Sequence, residues 1–195
     1  MIAFSRLSAF LLFVLSLSFL TCAAPTSSKT QELSVRGGDC HTVINALADL
    51  EAKLKLNLDA CVAIKADVDI NAEIIAKVKA DIEATAHVVA SVGAIVDVDA
   101  KLKAEVITHI ATVVTLVAKI LIKLSAKISA SVMANIILQI DACLKALLVA
   151  LNVCIQGVVS LSLKAIVDLT VVVFIKVKLL LCADILGLLK VGIAL

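Results

Sequence analysis

At 195 residues, 62% of them hydrophobic, the chain is long enough for one domain with a sizeable core, and its mean hydropathy of +1.14 lies far above the range of ordinary soluble domains. Charge divides unevenly: residues 25–105 carry 13 acids against nine bases, net −4, whereas residues 106–195 carry only Asp141, Asp168 and Asp184 against eight lysines, net +5. With one arginine beyond the first segment and neither Trp nor Tyr, nucleic-acid recognition is excluded in favour of an amphiphile whose partner is an apolar surface or a lipid.

The N-terminus reads as a secretory leader. Arg6 stands in a short basic region, Leu7–Leu20 is apolar, and the small residues Thr21, Cys22, Ala23 and Ala24 follow. Cleavage after Ala23 puts small residues at both positions that a signal peptidase reads and keeps Pro25 away from the cut, so 1–23 is assigned as signal peptide. Residues 24–38, with Pro25, Ser27, Ser28, Gly37 and Gly38, read as a flexible extension. A single helical domain is expected over 39–195, its polar half at 39–105 and its hydrophobic half at 106–195.

From Cys40 apolar residues recur every seven positions, at Leu47, Leu54, Cys61, Val68, Ile75, Ile82 and Val89. A second row three residues on runs Val43, Leu50, Asn57, Ile64, Asn71, Val78, Thr85 and Val92, interrupted by its polar members. This is a helix signal, with Asn57-Leu58-Asp59 the expected break. Gly93 with Asp97 and Asp99 marks the next turn, before a helix from about Ala100 to Ser125 on which Lys119, Lys123 and Lys127 form one polar stripe. Ser129 and Ser131 mark a weaker break. Two or three very apolar helices then follow, separated at Gly157 and ending near Gly187 or Gly192. Thr170–Ile175 has strand propensity, but a chain with no Pro and few Gly past residue 38 lacks the turns that strands require. The expected class is mainly α, a bundle of long aliphatic helices.

The longest uncharged run of the second half, Ala146–Leu163, reaches only the lower edge of membrane-spanning length. Neighbouring runs are cut by Lys176, Lys178 and Asp184, each costing roughly 2.5–3.5 kcal/mol at mid-bilayer. A membrane span is therefore not favoured.

Nothing in the chain points to an enzyme, a cofactor or a metal. His41, His87 and His109 are scattered, and Asp39-Cys40-His41 lists triad residue types without the convergence from separate elements that a triad needs. Asp67-Val68-Asp69-Ile70-Asn71 opens like a calcium loop, but Ala72 and Val78 stand where the turn glycine and the bidentate Glu belong. Secretion would permit disulfides among Cys40, Cys61, Cys143, Cys154 and Cys182. On continuous helices Cys40 and Cys61 would be about 31 Å apart, and Cys143 and Cys154 about 16 Å. Bonding is thus expected between the halves. Val113, Val117 and Leu121 are the expected apolar contact face.

The leader ending Thr21-Cys22-Ala23, the more hydrophilic segment through Glu105 and the hydrophobic one from Val106 to Leu195 resemble the small secreted structural proteins of mushroom-forming fungi. Those proteins mediate aerial-hypha formation and attachment. The layout also resembles, more weakly, helical fungal proteins that bind hydrophobic surfaces; a hydrophobin is excluded by the lack of adjacent cysteine doublets. The resemblance implies a secreted, surface-active protein of the cell wall or extracellular matrix, able to self-associate. A secreted lipid carrier and an integral membrane protein are the alternatives.

Overall fold

The computed structural model describes residues 36–63 and 68–187, and all regular structure among them is helical. The leader and nearly all of the extension lie outside the described residues. The helices are α1 Arg36–Ala63, α2 Val68–Val92, α3 Ala100–Ser125, α4 Ala130–Cys154, α5 Val158–Ala165, α6 Leu169–Lys178 and α7 Leu180–Ile185. The mainly α reading holds.

The seven-residue seam is the inner face of α1 and α2. Cys40, Val43, Leu47, Leu50, Leu54 and Cys61 are buried on α1, and Val78, Ile82 and Val89 on α2. One register shift occurs, since Ile74 is buried while Ile75 is half-buried. Thr85, an expected interruption, sits in the seam with its hydroxyl donating to the Asp81 carbonyl at 2.9 Å, so its burial leaves no polar atom unmet.

The expected break at Asn57-Leu58-Asp59 does not exist. α1 runs unbroken through it to Ala63, with Asn57 and Leu58 half-buried. Asn and Asp stop a helix only where tertiary packing does not reward continuing it, and here Leu54 and Cys61 are buried on either side. Helix also begins at Arg36, two residues before the expected end of the extension.

Gly93, at φ 75°, closes α2 in the left-handed conformation that favours glycine. α3 then spans the expected residues. Of the Lys119, Lys123 and Lys127 stripe, Lys127 falls past the end of α3, where its ammonium donates to the Cys61 carbonyl at the end of α1. Breaks at Ser129 and Gly157 also hold. Those at Ile166–Asp168 and Leu179 were not expected, so the apolar segment yields α4 and three shorter helices.

α1 pairs with both α2 and α3, and α2 with α4. α1 and α3 run parallel, Glu51 lying beside His109 and Cys61 beside Lys127. α2 and α4 are also parallel: Glu83 meets Cys143, and Ile95, just past α2, donates from its N–H to the Cys154 carbonyl at 2.8 Å. The consecutive helices α3 and α4 scarcely meet. α5 and α6 pack on α3, α7 packs on α4, and the three short helices fill the space between the two long ones. Leu47, Leu54, Ile110, Leu124, Leu144 and Leu147 are among the fully buried side chains at the centre, each worth roughly 1.5–3 kcal/mol.

Candidate functional site

Val113, Val117 and Leu121 are core residues, exposed by 2% or less, and this corrects the expectation that they form a contact face. α3 is apolar round most of its circumference and is covered on several sides by α1, α5 and α6. Its outward strip is Thr108, Thr112, Thr115, Lys119 and Lys123. Thr108 and Thr112 donate to the carbonyls of Ala104 and Thr108, at 3.0 and 2.9 Å.

The exposed apolar surface lies instead on α4 and the short helices. On α4 the outward face from Leu138 onward reads Leu138, Ala142, Ala146, Val149 and Val153, with Lys145 and Asn152 at its edge. Leu138 and Val153 are each 64% exposed. Helical spacing places these five on one stripe. The chain from α5 to α7 adds Val167, in the junction before α6 and 94% exposed, and Leu169, 75% exposed, with Val173, Val177 and Leu180. Among the described residues Leu56, Val62, Val88 and Val96 are the large exposed apolar side chains of the polar half, and the other eleven belong to the hydrophobic half. The outward residues of α1 and α2, by contrast, include Asp49, Lys53, Lys55, Asp59, Glu73, Lys77 and Glu83. The polarity gradient along the chain is therefore also a difference between surfaces.

α3 and α4 are both long and apolar enough to cross a membrane, but α3 is more than half buried within the bundle. Burial inside a protein accounts for that composition equally well.

Polar side chains pin most helix interfaces. His109 Nδ1 lies 2.7 Å from Glu51 Oε1 between α1 and α3, and Lys53 pairs with Asp81 at 3.3 Å between α1 and α2. Lys103 donates to the Gln156 carbonyl at 3.0 Å, tying α3 to the α4–α5 turn. Of the three acids in the hydrophobic half, two are helix caps. Asp168 Oδ1 accepts from the N–H groups of Thr170 and Val171 at 3.0 and 3.4 Å, and its Oδ2 lies 3.7 Å from Lys119. Asp141, 2% exposed on α4, accepts from the N–H groups of Leu181 and Cys182 at 2.9 and 3.0 Å, so it caps a helix 40 residues away. Nothing local in the sequence signals that second cap.

Cys40, Cys61, Cys143, Cys154 and Cys182 are all buried, and the structure joins none of them to another by the expected bond between the halves. Cys143 donates to Glu83 Oε1 at 3.1 Å and Cys182 to the Asp141 carbonyl at 3.6 Å. Burial raises the pKa of Cys40, Cys61, Cys143 and Cys182 above the ordinary thiol value, and with the Glu83 hydrogen bond Cys143 is pushed up to about 11. Protonated, buried thiols are poor nucleophiles. A thiol reagent at pH 8 is therefore expected to label the native protein slowly and the unfolded protein at once; rapid native labelling would contradict this burial. The same shifts fix a sign. Above pH 9 the unfolded chain loses thiol protons that the native state keeps, so stability falls as pH rises toward 11. Thermal midpoints across that range, compared with those of Cys143→Ala, measure it.

Among the described residues no cluster of three or more His, Cys, Asp or Glu could hold a metal ion. The chain matches no protein-family model, and a search of curated proteins finds no similar sequence.

Proposed function

We propose that this protein is a secreted, surface-active structural protein that adsorbs at hydrophobic interfaces in the cell wall or extracellular matrix. The observation that carries the reading is the uncharged outward stripe of α4, Leu138 to Val153, together with the exposed apolar side chains found from Val167 to Leu180. Contiguous apolar surface on a folded domain marks a site of interaction. Removing it from water is worth about 25 cal/mol per Å², so a contact of about 500 Å² supplies on the order of 12 kcal/mol before ordering costs. The charged outward faces of α1 and α2 favour water, which gives the molecule a preferred orientation at an interface. The fungal resemblance and the leader support secretion.

The test is a variant carrying Leu138→Lys, Val149→Lys and Val153→Lys. These positions are exposed and helical, and lysine is a good helix former, so helicity and thermal midpoint should hardly change. Binding to Teflon is expected to fall at least tenfold, from the desolvation cost of three ammonium groups. A folded variant that adsorbs like the wild type would defeat the reading. Wild-type protein that stays in solution and yields a stoichiometric acyl ligand on lipid extraction would replace it with a carrier.

A further inference from the structure

α6 packs on α3 but scarcely touches α4, and the consecutive helices α3 and α4 hardly meet, so packing between them is incomplete. A cavity of about 220 Å³ lies there, at the end of α3, the start of α4 and the second half of α6. Its most buried lining is Met133 and Ile137 of α4, 4% and 9% exposed, with the half-buried Ile128 and Phe174 beside them. Phe174 is the one Phe, Tyr or Trp after residue 19. The exposed rim is Ser125, Ala130, Ala134 and Lys178. No acid lines the cavity, and Lys178 takes part in none of the ion pairs found among the described residues.

Apolar walls with one cation at the mouth suit a ligand that has one apolar tail and one anionic head. Walls of this kind hold water poorly, and a cavity of ~150 Å³ lined by Leu, Ile and Phe admits benzene; in proportion, about nine chain carbons fill this one. The head stands at the exposed rim, where a carboxylate meets the Lys178 ammonium without the full cost of burying either charge. α4 begins on the same rim, and its N-cap Ser129 makes no side-chain hydrogen bond to the first turn, so the positive end of that helix adds to the field of the lysine. The hollow between the start of α3 and the end of α4 is larger, about 700 Å³, but it is lined by Asp97, Asn152 and Gln156, and its Lys103 already donates to the Gln156 carbonyl.

We propose that the cavity between α3, α4 and α6 is a binding site for a medium-chain fatty acid, its tail against Met133, Ile137 and Phe174 and its carboxylate at Lys178. Adsorption through Leu138, Val149 and Val153 does not depend on this site. Lys178 also stands in the last turn of α6, where a cation offsets the carbonyl end of the helix, and Lys176 shares that turn. A lysine with that role alone would alter stability and not the choice between ligands of equal tail.

The experiment is calorimetric titration of the full chain with decanoate at pH 8, where the acid is ionised, and with decanol as the neutral ligand of equal tail. The wild type is expected to take up one decanoate per chain. Lys178→Ala should weaken decanoate roughly threefold to fivefold, the range of an ion pair open to water, and leave decanol binding and the thermal midpoint unchanged. Ser125→Leu puts a larger apolar side chain on the rim, at an exposed helical position whose hydroxyl bonds only the Ile122 carbonyl of its own helix. It should weaken both ligands at least tenfold with helicity intact. Uptake of many decanoates per chain, or uptake indifferent to Ser125→Leu, is surface coating and would overturn the site, as would no uptake at all. Lys178→Ala weakening both ligands equally, or neither, would overturn it too. A chain that fails these tests but still binds Teflon leaves the proposed function standing, whereas one that takes up decanoate in the cavity and does not adsorb defeats that function and not the site.

Discussion

Replacing Val113, Val117 and Leu121 together by serine is expected to unfold the protein. The three side chains lie one turn apart along the buried face of α3, each exposed by 2% or less. Each substitution removes methyl groups from a packed core and buries a hydroxyl, whose best local partner is a carbonyl one turn back. At about 2–3 kcal/mol per site the sum is on the order of 6–9 kcal/mol, comparable with the whole stability of an average domain. Circular dichroism should show the helical signal lost or the thermal transition abolished. If helicity survived intact while adsorption vanished, these residues would be a contact face after all. Lysine substitutions at Leu138, Val149 and Val153 form the paired comparison, because they add charge to the exposed stripe without touching the core.

The second large effect is expected at Asp141. Asp141→Ala leaves the part-buried N–H of Leu181 and the buried N–H of Cys182 without their acceptor, at about 1–3 kcal/mol for a buried donor left unmet and less for the one that water can reach. A loss of about 2–4 kcal/mol corresponds to a drop of roughly 5–15 °C in thermal midpoint for a domain of this size. Asp141→Asn keeps one carbonyl acceptor and should fall between. A solvated aspartate on the outside of a helix would shift stability by no more than about 0.5 kcal/mol, so a neutral result would remove Asp141 from the cap. Asp168→Ala should cost less, because the amides it serves lie at the exposed start of α6 and water can replace the carboxylate.

Much of the bundle was legible along the chain because its signals are local. The seven-residue recurrence from Cys40 to Val89 reports which side of α1 and α2 turns inward, since helical geometry alone places those residues on one stripe. Gly93, Ser129 and Gly157 mark real ends, two of them glycines in the left-handed conformation. The failures are equally physical. Asn57 and Asp59 are weak breakers, and the packing on either side of them carries α1 onward.

The apolar surface shows where local reasoning stops. Periodicity, composition and charge determined by themselves that the protein is helical, aliphatic and polarised into a charged half and a hydrophobic one. They could not say which apolar helix is covered. α3 and α4 are nearly equal in length and hydropathy, and periodicity cannot rank two helices that are apolar on most sides. Only the tertiary structure decided it, by laying α1, α5 and α6 round α3 and leaving one side of α4 open. The same holds for the cysteines and for Asp141. A disulfide needs two sulfurs brought together, and a cap needs a carboxylate at the start of another helix. Both depend on separations through space, between residues 40 or more positions apart, that no spacing along the chain encodes.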